Sequence, residues 1–139
     1  MEQISEFAMN HWVLVTMFVT VAMALMISVI TSFEGVTPFQ AVNLMNQGDA
    51  LILDVRNNGD YKKGHIIGAL NLPAGSIQES ISDLQKHKDK SILVCCQNGG
   101  ESSKVLKTLK QLGFEKTQTI KGGILAWKQE SFPLEREKE

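Results

Sequence analysis

Between Phe7 and Phe33 the chain carries no charged side chain. The densest part, residues 12–30, is apolar except for Thr16, Thr20 and Ser28. At about 1.5 Å per residue, a helix over this stretch spans roughly the 30 Å hydrocarbon core of a bilayer. Val, Leu, Met, Phe and Ile lie all round it, so it has no polar face to turn to water. The rest of the chain is too small to enclose such a helix. Residues 1–33 are therefore expected to be a membrane anchor, and residues 34–139 a separate domain.

A cleaved signal peptide would need a basic start, a shorter apolar stretch and small residues after it. No Lys or Arg precedes the span, and Ala22-Met23-Ala24 lies inside it. An uncleaved, single-pass anchor is favoured. Charge is divided along the chain. Residues 1–55 hold five acids and no Lys or Arg, while all 14 basic residues lie at Arg56 or beyond with ten acids, giving −5 and +4. The positive-inside tendency then leans towards a domain on the cytoplasmic side of a bacterial inner membrane. No basic run suggests nucleic acid as a partner.

Two cysteines, Cys95 and Cys96, are adjacent. They cannot staple distant segments, which fits a reducing compartment or a catalytic role. No spacing of Cys95, Cys96, His65 and His87 resembles a metal-ligand pattern, and no metal or cofactor is expected.

The domain alternates short apolar runs with helical stripes. Thr37-Pro38-Phe39-Gln40 reads as a capping box with Pro at the first helical position, and Gly48 as that helix's stop. Ala50–Val55 and Ser91–Cys96 read as strands buried on both faces. Asn57–Asp60 reads as a turn, Gly64–Pro73 as containing a second strand, and Ser76–Glu79 as another capping box. Val105, Leu106, Leu109 and Leu112 line one face of a helix whose other face carries Lys104, Lys107 and Lys110. Glu115–Ile120 reads as a further strand, and Ile124–Glu130 as a last helix. This alternation predicts an α/β fold, a parallel sheet of about five strands flanked by helices. In such sheets ligands sit at the carboxyl ends of strands, and Cys96 is at one.

Several of these pieces together resemble one family. They are Leu53-Asp54-Val55-Arg56, Tyr61 through Gly64-His65-Ile66 to Pro73, Ile92–Cys96 with its loop, Leu109–Phe114, and Lys121-Gly122-Gly123 through Trp127. In order and spacing this stretch, about Gly35–Leu134, resembles a rhodanese-homology (sulfurtransferase) domain. The anchor ahead of it resembles that of membrane-tethered bacterial members. The resemblance implies a six-residue active loop, Cys96-Gln97-Asn98-Gly99-Gly100-Glu101, followed by Ser102. Cys96 takes the nucleophile's place. Backbone N–H groups from Gln97 to Ser102 would hold a negative sulfur. Cys95 is expected to be a buried strand residue.

The implied reaction moves a sulfane sulfur through a Cys96 persulfide, from thiosulfate or a persulfide to a thiol or protein acceptor, in two half-reactions. Asp54 and Arg56 match the family's Asp-x-Arg. They would shape the pocket wall, or simply form an ion pair at a strand end. His65 is expected to be a hydrogen-bonding structural residue, and Tyr61 and Trp127 core or rim aromatics. One departure stands out. The family's loop commonly ends in Arg, and this one ends in Glu101. Either Glu101 points to solvent, or the loop is tuned away from thiosulfate. The alternative function is a catalytically weak module that binds a membrane-protein partner. A lesser alternative is thiol redox chemistry using both cysteines.

Overall fold

The computed structural model describes residues 2–31 and 35–138, which fall in two compact units, 1–34 and 35–139. The expected boundary at residues 33 and 34 lies outside the described residues.

In the first unit, helix α1 (Glu2–Asn10) is followed by α2 (Trp12–Thr31). The ladder continues across His11, whose N–H donates to Phe7 O and whose carbonyl accepts from Val15 N–H, both at 3.0 Å. The 20 residues of α2 give about 30 Å of helix. Trp12, Phe18, Met23 and Leu25 are all exposed. The hydroxyls of Thr16 and Thr20 donate back to Val13 O and Met17 O, at 3.0 and 2.9 Å. That internal pairing is what a polar group needs in hydrocarbon. Residues 12–29 are long and apolar enough to cross a membrane.

The second unit is built on a four-stranded parallel sheet. Its strands are β1 (Ala50–Asp54), β3 (Leu70–Asn71), β4 (Ser91–Cys95) and β5 (Thr117–Thr119), in the order β3-β1-β4-β5. Where about five strands were expected, the sheet has four among the described residues, with Val36 as a one-residue bridge beside Ile120 at the β5 edge. Val36 N–H donates to Thr119 O at 2.8 Å, and Lys121 N–H to Val36 O at 2.9 Å. Val36 therefore closes the sheet edge.

Helices cover both faces. Helix α3 (Pro38–Asn46) and helix α7 (Gly123–Gln129) pack Ala41, Ile124 and Trp127 with Ile52, Leu93 and Cys95 on one face. On the other face, helix α5 (Ile81–Gln85) and helix α6 (Ser102–Gln111) pack Leu84, Val105 and Leu109 with Leu53, Val94 and Cys96. Burial on both faces explains why β1 and β4 are continuous apolar runs rather than alternating ones.

The expected α3 capping box is present. Gln40 N–H donates to Thr37 Oγ1 at 3.2 Å, and Thr37 N–H to Gln40 Oε1 at 2.9 Å. Other readings need correction. Asn57–Asp60 is no turn but a helix start: Asn57 Oδ1 caps helix α4 (Asn58–Lys63) by accepting from Asp60 N–H at 2.8 Å. Gly64–Pro73 holds two strands, β3 and β2 (His65–Ile66). β2 pairs antiparallel with β6 (Leu134–Glu135), a ribbon the sequence reading missed. The Ser76 box does not form. Ala74–Ser76 is a 3-10 turn, and Glu79 and Ser80 N–H both return to Ser76 O. Ala74 N–H is held by Val55 O and Ile77 is buried, so the segment follows the sheet end before α5 begins. Leu112 lies past the end of α6 and is exposed.

Candidate active loop

β1 and β4 run parallel with Asp54 opposite Cys95, so Val55 and Cys96 leave the sheet side by side, with Arg56 one residue on. Val55 N–H donates to Cys95 O at 3.0 Å, locking that register. The chain then turns through residues 97–101 into α6, whose N-terminus no side chain among the described residues caps.

The Cys96 sulfur accepts a hydrogen bond from Gly99 N–H at 2.8 Å. Gly99 has φ +95°, which only glycine adopts without strain, and this conformation aims its N–H back at the sulfur. Gly100 N–H, expected to face the sulfur too, donates instead to Asn98 Oδ1 at 3.1 Å. Gln97, Asn98, Gly100 and Glu101 are exposed. Ser102 is buried, and its Oγ has no hydrogen-bond partner among the described residues. Cys96 itself is 1 % exposed.

The loop is held from behind by α7, a contact the sequence reading missed. Ile124 N–H donates to Cys96 O at 2.8 Å, and Leu125 N–H to Gln97 O at 3.2 Å. Such an approach requires Gly123. Its φ is +58°, and a Cβ there would stand 2.2 Å from Cys96 O. The signal was present as adjacent glycines ahead of a short helix, but nothing local said what they approach.

Successive strand residues point to opposite faces. Cys95 accordingly joins the core on the α3 and α7 side, and Cys96 the core on the α5 and α6 side. Burial, and then the Asp54 charge, push the Cys95 thiol well above the ordinary range, so it is a neutral core residue.

Asp54 and Arg56 form a buried pair. Arg56 Nε donates to Asp54 Oδ1 and Oδ2 at 3.0 and 3.2 Å, and Nη2 to Oδ2 at 2.7 Å. Nη2 also donates to Gly64 O at 2.7 Å, tying the pair to the Gly64-His65 segment. Burial works against the guanidinium charge, but the hydrogen bond and charge of Asp54 outweigh it and raise the Arg56 pKa. Nearby, Tyr61 donates to Ala69 O at 2.6 Å, and the His65 ring stacks on it at 3.7 Å. His65 Nδ1 lies 2.8 Å from Tyr61 O, which can only accept, so Nδ1 carries a proton. His65 and Tyr61 thus belong to the packing of the β2–β6 ribbon.

Beside the loop lies a polar cleft of about 230 Å³, lined by Arg56, Asn57, Asp60, Gln97, Asn98 and Glu101. Asn57 and Asp60 were not anticipated there. Capping α4 is what brings them to the loop.

A model of the Rhodanese-like domain family matches residues 37–130. The chain belongs to the rhodanese-like family. It is similar to YibN, an uncharacterized protein of Escherichia coli (strain K12), with 30 % identity over 143 residues, covering 99 % of this chain and all of YibN. It is also similar to a rhodanese-related protein of Thermoplasma volcanium, with 27 % identity and a TM-score of 0.67, covering 76 % of this chain and all of that one. A thiosulfate sulfurtransferase of Pseudomonas aeruginosa shares the fold, with a TM-score of 0.67 at 17 % identity over 74 % of this chain and 19 % of that one. The rhodanese-like assignment agrees with the parallel sheet, the flanking helices and the cysteine at a strand's carboxyl end.

Proposed function

We propose that this rhodanese-like protein is a membrane-anchored sulfurtransferase or persulfide carrier, working through Cys96. The observation that carries the reading is the Gly99 N–H donated to the Cys96 sulfur at the carboxyl end of β4. A fixed N–H at that sulfur stabilises negative charge on it without reorganisation. The sulfur attacks the outer sulfur of a donor, and the donor's remainder leaves with the electron pair of the broken S–S bond. Cys96 then holds a persulfide until an acceptor thiol attacks its outer sulfur. Gln97 to Ser102 form the loop around this group, and Asp54 holds Arg56 at its side. The helix of residues 12–30 supports placement in a bacterial inner membrane, and the charge distribution supports a cytoplasmic domain.

Intact mass of the full chain in detergent, after exposure to thiosulfate and to organic persulfides, tests this. One added sulfur is expected, absent in Cys96→Ser and retained in Cys95→Ser. No adduct from any donor would overturn the reading.

Glu101 and the 1 % exposure of Cys96 favour a second reading, a weakly active module that binds a partner at the membrane. Under that reading Cys96→Ser leaves partner capture intact and no sulfur is loaded.

A further inference from the structure

The cleft beside the active loop has an uneven charge pattern. Arg56 is neutralised by Asp54 behind it, and Lys63 Nζ lies 3.9 Å from Asp60 Oδ1 but is exposed and outside the cleft, so among the lining residues Asp60 and Glu101 leave an acidic balance. A small dianion such as thiosulfate meets repulsion there. Yet the cleft is not simply a cation site. Among the described residues, the four hydrogen bonds of the Arg56 guanidinium are made by Nε and Nη2, and none by Nη1. Arg56 is only 6 % exposed and lines the cleft, so its uncommitted N–H groups have that space to serve. Asn57 Nδ2 donates to Asp60 Oδ2 at 2.9 Å, and Asn57 Oδ1 takes Asp60 N–H, so the carboxylate is held in place from its own helix. Asp60 also lies close enough to Arg56 for their charges to interact. The volume, about 230 Å³, falls below the roughly 300–1,000 Å³ of drug-sized sites, which suits a molecule of amino-acid size.

A ligand matching all of this carries one ammonium and one carboxylate. We propose that the cleft binds the amino-acid head of a small persulfide donor, the ammonium at Asp60 and Glu101 and the carboxylate at Arg56 Nη1. This rests on the sulfurtransferase reading of Cys96 and names its donor class, an α-amino-acid persulfide such as cysteine persulfide. The step balances without an oxidant. The Cys96 thiolate attacks the outer sulfur of RS–SH, a new S–S bond forms as the donor's breaks, and RS⁻ leaves with the electron pair and takes up a proton.

The test has two arms on the full chain in detergent. In the binding arm, S-methylcysteine serves as an unreactive probe, followed through the amide resonances of Asn57, Asp60 and Gln97. Saturable shifts are expected in the native chain, weakened at least tenfold in Asp60→Asn and Glu101→Gln. Absence of saturable shifts overturns the proposal. In the loading arm, sulfur uptake from cysteine persulfide is compared with uptake from its N-acetyl and ester analogues. Native protein is expected to favour the free amino acid about tenfold over each. The N-acetyl discrimination should fall towards unity in Glu101→Gln. Equal loading from all three donors overturns the proposal and leaves the sulfurtransferase reading standing. Binding without loading from any donor upholds the cleft and overturns that reading instead.

Discussion

Gly99 N–H points at the Cys96 sulfur from 2.8 Å, with Gly99 held at φ +95°. A Cβ on Gly99 would meet only Gly122 N and Cα, at 3.6 and 3.9 Å, which is ordinary contact. Gly99→Ala therefore strains the backbone without a clash, by about 1–2 kcal/mol. The expected result is a folded protein whose sulfur loading slows roughly tenfold, each factor of ten being about 1.4 kcal/mol. A time course of intact mass measures it. Unchanged loading would mean that this N–H does not serve the negative sulfur.

Gly123 presents the opposite case. A Cβ there meets Cys96 O at 2.2 Å and the carbonyl carbons of Cys96 and Gln97 at 3.0 Å, all backbone. Gly123→Ala combines a left-handed conformation with overpacking, about 2–5 kcal/mol together. Denaturant unfolding should show that loss. Loading should fall further than in Gly99→Ala, since the loop's first carbonyls lose their partners.

Removing Asp54 strands a buried guanidinium. Asp54→Ala is expected to destabilise the domain by about 3–5 kcal/mol. Replacing both partners with apolar residues, Asp54→Leu with Arg56→Met, should recover much of it, because no unpaired charge remains. Equal losses in the single and double variants would show that the pair's role is not electrostatic.

Cys95 and Tyr61 give the stability curve an alkaline limb. Burial is the leading cause that raises both, with carboxylates nearby adding to it. In the unfolded chain they ionise near pH 8.5 and 10 respectively. Their neutral forms thus contribute stability that is fully present below those values and lost as pH rises beyond them. The denaturation midpoint should decline from about pH 9 upwards. Cys95→Ala should remove the earlier part of that decline.

The proposed anchor makes its own prediction. Val21→Arg, near the middle of α2, should raise the cost of insertion by about 2.5–3.5 kcal/mol. Native protein should stay with membranes through alkaline carbonate washing, and the variant should be released. Equal retention would argue against residues 12–30 as a spanning helix.

Much of the fold could be read locally. Buried runs such as Ile92–Cys95 need no partner to be recognised. The Thr37–Gln40 box closes within one turn, and the lysine stripe of α6 announces its solvent face. What escaped reading depends on distant pairing. β2 and β6 are two residues each, too short to show periodicity, and find each other only in space. The Ser76 motif was misread because the Val55 carbonyl and a buried Ile77 outrank a local cap. The loop's position followed from its strand–glycine–helix pattern. Its neighbours did not: Asp60 reaches the cleft through an unforeseen helix, and α7 grips the loop through backbone atoms that side-chain identity cannot announce.

The opposed faces of Cys95 and Cys96 bear on oxidative injury. Peroxide would convert Cys96 to a sulfenic acid, and a neighbouring thiol commonly rescues such a group as a disulfide. Here the neighbouring sulfur lies on the other side of the sheet, neutral and wholly buried, and the chain has no third cysteine. Recovery must come from a thiol of another molecule, or oxidation runs on to the irreversible acids. A resident persulfide changes that outcome, because its outer sulfur is oxidised first and can be cut away by reduction, leaving Cys96 whole. Occupancy by cargo would then double as armour for the residue that carries it.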